Sequence, residues 1–157
     1  MEELTLKSTV KVAQIHELTE EERNLVALAI EGTTRSYAPY SHFHVGAAIL
    51  LKDGTTIIGF NQENAAFPSG ICAERSAIFA AGAQHPDQPV MMIAIAARNE
   101  KGELQDEPVS PCGPCRQVLI ETEKRFHHAV RILLYGKKHI YIVDGISELM
   151  PLSFTDF

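Results

Sequence analysis

The chain has 157 residues, of which 45% are hydrophobic and 22% are charged, and its formal net charge at pH 7 is -6. This size and composition are those of one globular domain and exclude the disordered and fibrous classes. Because the chain is acidic and its Lys and Arg residues are scattered, it lacks the basic stripe that attracts nucleic-acid phosphates, and we expect no nucleic-acid partner.

The sequence carries no pattern typical of export or membrane insertion. No apolar run approaches the roughly 20 residues of a membrane helix, and the acidic start at Met1–Leu4 differs from a secretory signal. Three cysteines, an odd number, argue against a disulfide framework. We therefore expect a cytoplasmic protein without a membrane partner, in which clustered cysteines bind a metal or perform chemistry.

The N-terminal part predicts an arm followed by a helix. Residues 4–13 alternate loosely between apolar and polar, which indicates an edge strand or an arm packed on a neighbour. Thr19 and Glu22 form a capping box, and the apolar spacing after them predicts a helix to about Arg35, stopped by Pro39. We expect residues 1–18 to be an N-terminal extension or arm, with a single domain over residues 19–157.

The remainder of the chain predicts a sheet and two further long helices. Apolar runs predict strands at residues 45–51, 55–60, 90–97, 130–135 and 139–143, the first two forming a hairpin. Helices are predicted at residues 72–82 and 117–126, and a short helix or irregular tail from residue 146. This order predicts an α/β fold, a three-layer α-β-α sandwich with a mixed central sheet of about five strands.

All three cysteines fall into two short groups, residues 72–74 (Cys-Ala-Glu) and residues 111–115 (Pro-Cys-Gly-Pro-Cys). The Cys112-x-x-Cys115 pair can turn two thiolates towards one ion, and Cys72 supplies a third sulfur. Three protein ligands leave the fourth tetrahedral position of zinc to water, which is the arrangement of a catalytic zinc site. The sequence therefore predicts a zinc site at Cys72, Cys112 and Cys115.

Two side chains next to Cys72 favour chemistry at this site. Both cysteine groups lie where a helix is expected to begin, and helix N-termini stabilise thiolates. Glu74, on the same first turn as Cys72, can reach a metal-bound water without being a ligand. Since zinc with three thiolates carries a net charge of -1, a cation should support the sulfurs. Arg75 is the candidate for this cation. The alternative is that Arg75 is an exposed arginine of the helix without a role at the site.

Taken alone, the Cys-x-x-Cys pair also fits a redox dithiol of the thioredoxin kind. The preceding Pro111, the distant Cys-x-Glu group and the lack of a spare cysteine favour zinc over that alternative. A structural zinc module without catalytic activity is a further alternative, against which the three-ligand count and Glu74 weigh.

Four segments of the chain resemble the small homotetrameric cytidine deaminases, which are zinc-dependent. They are residues 37–48 (YAPYSHFHVGAA), 61–65 (NQENA), 72–77 (CAERSA) and 111–118 (PCGPCRQV). The resemblance covers roughly residues 20–125. It implies a cytidine deaminase-like catalytic domain over residues 19–157, one zinc ion per subunit, and a homotetramer with active sites near the subunit interfaces.

The resemblance also implies residues that bind the nucleoside. Asn61 and Glu63 would read the ribose, because an amide and a carboxylate can hold a sugar hydroxyl as donor and acceptor. The alternative for both residues is that they only stabilise a turn after a strand. Phe43 would stack beside the pyrimidine, and the alternative for it is core packing.

The implied reaction is hydrolytic deamination of cytidine, and of 2′-deoxycytidine, to the uridine product and ammonia in pyrimidine salvage. Zinc would lower the pKa of a water that attacks C4, while Glu74 moves the protons. Backbone groups near Ala73 and Ser110 would orient the ring and the amine. Phe154 resembles the family's phenylalanine that reaches the pocket of a neighbouring subunit.

The chain departs from the family pattern at residues 1–18, which the shortest members lack, at Phe60, where a cysteine is common, and over residues 126–145.

Two alternative activities remain open. A deaminase of another aminopyrimidine nucleoside, such as an antibiotic, is disfavoured by the intact Asn61-x-Glu63 segment. A nucleic-acid editing deaminase, or a zinc protein that binds RNA, is disfavoured by the acidic charge.

Overall fold

The computed structural model describes residues 1–155, which form one mixed sheet with helices on both faces. The strands are β1 (Lys11–Ala13), β2 (His44–Leu51), β3 (Thr56–Phe60), β4 (Val90–Arg98), β5 (Arg131–Tyr135) and β6 (Ile140–Asp144). The helices are α1 (Glu20–Gly32), α2 (Ala73–Gln84) and α3 (Gly113–Phe126). Within residues 1–155, no helix has both the length and the apolar character of a membrane span.

The six strands follow the order β1-β6-β5-β4-β2-β3. Strands β4 and β5 run parallel, with α3 as the crossover between them, and the other neighbouring pairs are antiparallel. The predicted hairpin is β2 and β3, whose turn contains Gly54 with a φ of 88°. The prediction of a mixed sheet is confirmed, with six strands instead of about five because β1 adds an edge strand.

Successive residues of the central strands face opposite helices. Ala48 and Leu50 of β2 pack in one cluster with residues of α1. Ala47 and Ile49 of the same strand pack in a second cluster with residues of α2 and α3. This alternation is the two-residue period of a strand buried on both faces. The predicted three-layer α-β-α sandwich is therefore confirmed.

Helix α1 ends earlier than the sequence predicts, at Gly32 and not near Arg35. The hydroxyls of Thr33 and Thr34 donate hydrogen bonds to the carbonyl oxygens of Ile30 and Glu31. Such side-chain bonds compete with the helical pattern and favour turns, so the chain leaves the helix before it reaches Pro39. At its start α1 has the predicted capping box, with reciprocal bonds between Thr19 and Glu22.

Helices α2 and α3 begin directly after the cysteines. Cys72 is the N-cap of α2, and Cys112 is the N-cap of α3. Helix α3 starts at Gly113, which confirms the expected helix start at the second cysteine group and extends the helix predicted over residues 117–126 by four residues. Pro114 in the first turn has the backbone angle that a helix needs and no amide to lose. The start of each helix thus lies beside a metal-ligand candidate.

Residues 11–13 form an edge strand of the chain's own sheet. Strand β1 pairs antiparallel with β6, and Lys11 Nζ lies 2.6 Å from Asp144 Oδ2. The amide of Thr9 donates to Glu148 Oε2 at 2.5 Å, and Gln14 Nε2 donates to the carbonyl oxygen of Lys138 at 3.0 Å. Of the two predictions for residues 4–13, the edge strand is confirmed for residues 11–13.

After β6 the chain forms a single 3₁₀ turn, Ile146–Glu148, and is irregular up to residue 155. The predicted short helix or irregular tail agrees with this over the described part. The tail lies along α3, where Arg116 Nη1 donates to the carbonyl oxygen of Leu149 and Gln117 Nε2 to that of Phe154.

Candidate active site and metal centre

The three cysteine sulfurs lie together at the starts of α2 and α3. The Sγ atoms of Cys72, Cys112 and Cys115 all lie within 4.8 Å of one another. Cys72 Sγ is 3.7 Å from Cys112 Sγ, and Cys112 Sγ is 3.2 Å from Cys115 Sγ. None of the three is in a disulfide, so all three sulfurs are available as ligands.

This spacing fits one zinc ion. Sulfurs at tetrahedral positions about 2.3 Å from a zinc ion lie about 3.8 Å from one another. Cys72 and Cys112 line a cavity, whereas Cys115 is fully buried behind them. A metal held by the three sulfurs would therefore keep one side open to the cavity, as a catalytic zinc requires.

Close packing fixes where α2 and α3 begin. A Cβ atom on Gly59 of β3 would lie 2.3 Å from the carbonyl oxygen of Ala73, so only a glycine lets α2 rest on β3 at this height. On the other helix, Arg116 Nε donates to the carbonyl oxygen of Pro111 at 2.9 Å, directly before Cys112. The sulfurs are thus positioned by the backbone of two packed helices.

The charges around the sulfurs call for a cation. Hydrogen bonds from the Cys115 thiol and from Arg75, whose Nη2 lies 3.6 Å from Cys72 Sγ, lower the pKa of Cys72 against the effect of burial. The hydrogen bond to Cys72, burial and the charge of Glu74 together raise the pKa of Cys115. Arg75 supplies a single positive charge beside these sulfurs, and three thiolates need the further positive charge that a metal ion brings.

Glu74 lies in the first turn of α2 and lines the same cavity. Its side chain is nearly buried, with 5% of the residue exposed. Burial raises the pKa of the Glu74 carboxyl. The group therefore holds a proton more readily than an exposed glutamate, which suits a side chain that must accept and return protons.

The cavity has a volume of about 930 Å³, within the range of small-molecule sites. It brings together the residues that the sequence predicts for substrate binding, which come from the loop before β2, the segment after β3 and the start of α2: Phe43, Asn61, Glu63 and Ala73. Ser110 lies in its wall as well. Phe154, which is 64% exposed, is not among the described residues that line it. Its contact with a neighbouring copy stays a prediction.

Asn61 and Glu63 are already bonded to the loop that carries Phe43. Asn61 Oδ1 accepts from the amide of Val45 at 2.8 Å, and Asn61 Nδ2 donates to the carbonyl oxygen of Phe43 at 2.9 Å. Glu63 Oε2 accepts from the amides of Tyr40 at 2.9 Å and Ser41 at 3.2 Å. Both side chains thus hold the loop as well as facing the cavity.

The cavity is also lined by residues that the sequence does not predict as site residues, among them Tyr40, Ser41 and Phe67. Tyr40 and Ser41 stand in the 37–48 segment that carries the family resemblance, but the sequence gives no signal that they contact Glu63. Phe67, in a 3₁₀ turn at the cavity, is 90% exposed. The sequence alone predicts neither that Phe67 is exposed nor that it lies at the cavity.

Comparison with known proteins gives a match that includes the cysteine cluster. Residues 19–130 match the profile of the family described as the cytidine and deoxycytidylate deaminase zinc-binding region, and this range contains the three cysteines. A cytidine deaminase of Halalkalibacterium halodurans is 43% identical over 131 residues, which cover 83% of this chain and 92% of that protein. A cytidine deaminase of Sporosarcina psychrophila is 42% identical over 131 residues, 83% of this chain and 89% of that protein.

The fold agrees with a solved structure of the same kind. The crystal structure of cytidine deaminase from Burkholderia pseudomallei superposes with a TM-score of 0.73 and 32% identity, covering 87% of this chain and 100% of that one. The six-stranded sheet, the three-sulfur zinc site and the profile match agree with one another. The chain therefore belongs to the cytidine and deoxycytidylate deaminase zinc-binding family.

Proposed function

We propose that this protein is a zinc-dependent cytidine deaminase, which hydrolyses cytidine, and 2′-deoxycytidine, to the uridine product and ammonia. The observation that carries the proposal is a buried carboxyl, Glu74, in a nucleoside-sized cavity beside three clustered sulfurs. The relatives named cytidine deaminase support it, since they match most of the chain. The reaction would place the protein in pyrimidine salvage.

Bound by Cys72, Cys112 and Cys115, zinc would supply an acidified water for attack at C4 of the base. We assign the proton transfers to Glu74. Of the two protons of the attacking water, one ends on N3 of the product ring and the other on the departing ammonia. The raised pKa of the Glu74 carboxyl lets it take up each proton and deliver it within the cavity.

Arg75 is assigned to support the sulfur ligands, because its guanidinium lies 3.6 Å from Cys72 Sγ. A cation there offsets the net negative charge of zinc with three thiolates and so favours acidification of the water. The amide of Ala73, at the first position of α2, has no partner within its own helix and is assigned to orient the base.

The nucleoside itself is assigned to three side chains. Phe43 would lie beside the pyrimidine, where aromatic rings stack with favourable energy. Asn61 and Glu63 would bond the sugar hydroxyls, in addition to their bonds with the loop. A substrate without the sugar would forgo these additional bonds, so cytidine should be preferred over free cytosine.

The assembly that we propose is a homotetramer with one zinc ion per subunit, in which Phe154 contacts the substrate cavity of a neighbouring copy. Support comes from the exposed apolar side chains of Phe67, Phe79, Leu152 and Phe154, which are 90%, 52%, 72% and 64% exposed in one copy of the chain. Light scattering of the purified protein tests the number of copies, and a monomer with full activity would contradict this part.

The test of the activity is the loss of ultraviolet absorbance when zinc-loaded protein meets cytidine, with cytosine and cytidine monophosphate in parallel. We expect rapid conversion of cytidine and little of the other two. Conversion of cytosine at an equal rate would contradict the sugar-reading assignment. With zinc bound, no conversion of any of the three would contradict the proposed function.

A further inference from the structure

Ser41 lies between the two residues to which we assign recognition of the sugar and of the base. Its hydroxyl donates a hydrogen bond to Glu63 Oε1. The same hydroxyl oxygen accepts a hydrogen bond from the amide of Phe43 at 3.1 Å. One hydroxyl therefore connects the carboxylate that faces the sugar to the backbone that carries the aromatic ring.

The carboxylate of Glu63 is almost fully used by this loop. An ionised carboxylate offers about four acceptor positions. The amides of Tyr40 and Ser41 occupy Oε2, and the Ser41 hydroxyl occupies one position of Oε1. One acceptor position remains, on Oε1, and the Ser41 hydroxyl bond decides in which direction it points.

The backbone on both sides of the Phe43 ring is held in place. His42 has a φ of 52°, in the left-handed region that non-glycine residues rarely adopt, and its amide donates to the carbonyl oxygen of Ala38 at 3.1 Å. Such a conformation persists only where surrounding contacts enforce it. On either side of Phe43 those contacts are the Ser41 hydroxyl on its amide and Asn61 Nδ2 on its carbonyl oxygen, at 2.9 Å.

We propose that Ser41 is a positioning residue for cytidine deamination. Its hydroxyl aims the remaining acceptor of Glu63 at the 3′-hydroxyl of the sugar and at the same time holds Phe43 beside the base. The two parts of the nucleoside are thereby recognised as one unit. This inference rests on the proposed function, since it gives Ser41 a part in binding that substrate.

The experiment compares the wild type with Ser41→Ala and Ser41→Thr, all as zinc-loaded full chains. The variant Ser41→Ala loses a hydrogen bond to a charged group, so we expect the KM for cytidine to rise about ten-fold with kcat within about two-fold of the wild type. The variant Ser41→Thr keeps the hydroxyl, and its added methyl group lies at an exposed position, so it should restore the KM.

A second ligand separates positioning of Glu63 from a general loosening of the loop. The inhibition constant of 2′,3′-dideoxycytidine, measured against cytidine, reports binding without the 3′-hydroxyl. We expect Ser41→Ala to weaken this competitor clearly less than it weakens cytidine. The control is Ser147→Ala, a change at an exposed serine outside the described lining of the cavity, which should change neither constant.

The outcomes are distinguishable. A zinc-loaded wild type without cytidine turnover would overturn the proposed function and this inference with it. An active wild type would overturn the inference alone if Ser41→Ala kept the KM, if it weakened cytidine and the competitor equally, or if Ser41→Thr failed to restore binding. Zinc content and melting temperature of each variant establish that it is folded.

Discussion

Gly59 of β3 lies so close to Ala73 of α2 that a Cβ atom on the glycine would stand 2.3 Å from the carbonyl oxygen of the alanine. The same atom would stand 2.5 Å from the amide nitrogen of Ala77, one turn further along the helix. Because Cys72 and Glu74 flank Ala73, this contact sets the height of a metal ligand and of the carboxyl above the sheet.

We expect Gly59→Ala to lower the free energy of unfolding by about 1–3 kcal/mol, because overpacking forces α2 away from β3. Urea unfolding of zinc-loaded protein measures this, and zinc affinity should fall with it. The control is Gly82→Ala in the same helix, where an added Cβ meets nothing within 4 Å. That change should leave stability equal or raise it by up to about 1 kcal/mol. A Gly59→Ala protein as stable as the wild type would contradict the packing argument.

The variant Glu74→Gln should keep its zinc and lose at least about 100-fold in kcat, because the amide cannot carry protons. Zinc content by elemental analysis, together with the absorbance assay, checks both halves of this expectation. Glu121→Gln, on the exposed surface of α3, is the matched control and should be fully active. Near-normal turnover in a metal-loaded Glu74→Gln protein would remove Glu74 from the proposed chemistry.

Stability should depend on acid pH through Glu22, which is 4% exposed and accepts a hydrogen bond from Arg131 Nε at 2.5 Å. Burial by itself would raise the pKa of Glu22, but the amide of Thr19 and the guanidinium of Arg131 outweigh it, and the net pKa is below the ordinary value of 4.5. On acidification the unfolded chain therefore binds its proton before the folded one. The contribution of Glu22 is complete above about pH 4.5 and declines as the pH falls through the lower folded pKa.

Urea unfolding at a series of pH values measures this dependence. The difference in unfolding free energy between the wild type and Glu22→Gln should be largest near pH 7 and shrink below pH 4.5. Glu21→Gln, at the exposed neighbouring position, should run parallel to the wild type over the whole range. A Glu22→Gln difference that does not change with pH would show that the pair with Arg131 is not the cause.

Removal of residues 1–13, which include strand β1, tests whether the domain predicted over residues 19–157 folds and functions without that strand. The described residues that line the cavity begin at position 40, so we expect zinc binding and turnover to remain. The exposed Lys11–Asp144 pair contributes no more than about 1 kcal/mol, and the loss of stability should be small. The uncovered edge of β6 should instead promote association beyond the assembly of the wild type, seen by light scattering at high concentration.

A matched variant, Lys11→Met, removes the ion pair and keeps the strand, so it should have the same assembly size as the wild type. If the shortened chain lost its zinc, residues 1–13 would have to count as part of the catalytic domain. If it stayed as monodisperse as the wild type, β1 would have no role in covering the sheet edge.

Much of the fold could be predicted because its signals are local. The continuous apolar run at residues 90–97 predicts a strand buried on both faces, and β4 is such a strand. Thr19 and Glu22 predict a helix start through a bond between neighbours in sequence. The metal site could be predicted for a different reason. The chain has three cysteines, and all of them stand in two short groups.

The features that the sequence did not reveal depend on distant contacts. Strand β1 has three residues, and its partner strand lies about 130 positions away, so no local pattern marks the pairing. Likewise, Ser41 meets Glu63 only because β2 and β3 fold back on each other as a hairpin. The predicted role of Glu63 in sugar binding therefore gave no indication that its carboxylate also accepts hydrogen bonds from the loop.

Cys72 and Cys112 are N-caps of two different helices and stand 40 residues apart. An ion bound to both would close the chain between them, which contains α2 and β4, into a loop, much as a disulfide does. The free energy of metal binding would then contribute directly to the stability of this face of the sheet. A chelator would act here as a local denaturant, and amide hydrogen exchange would accelerate first at the two helix starts while the α1 face stayed protected.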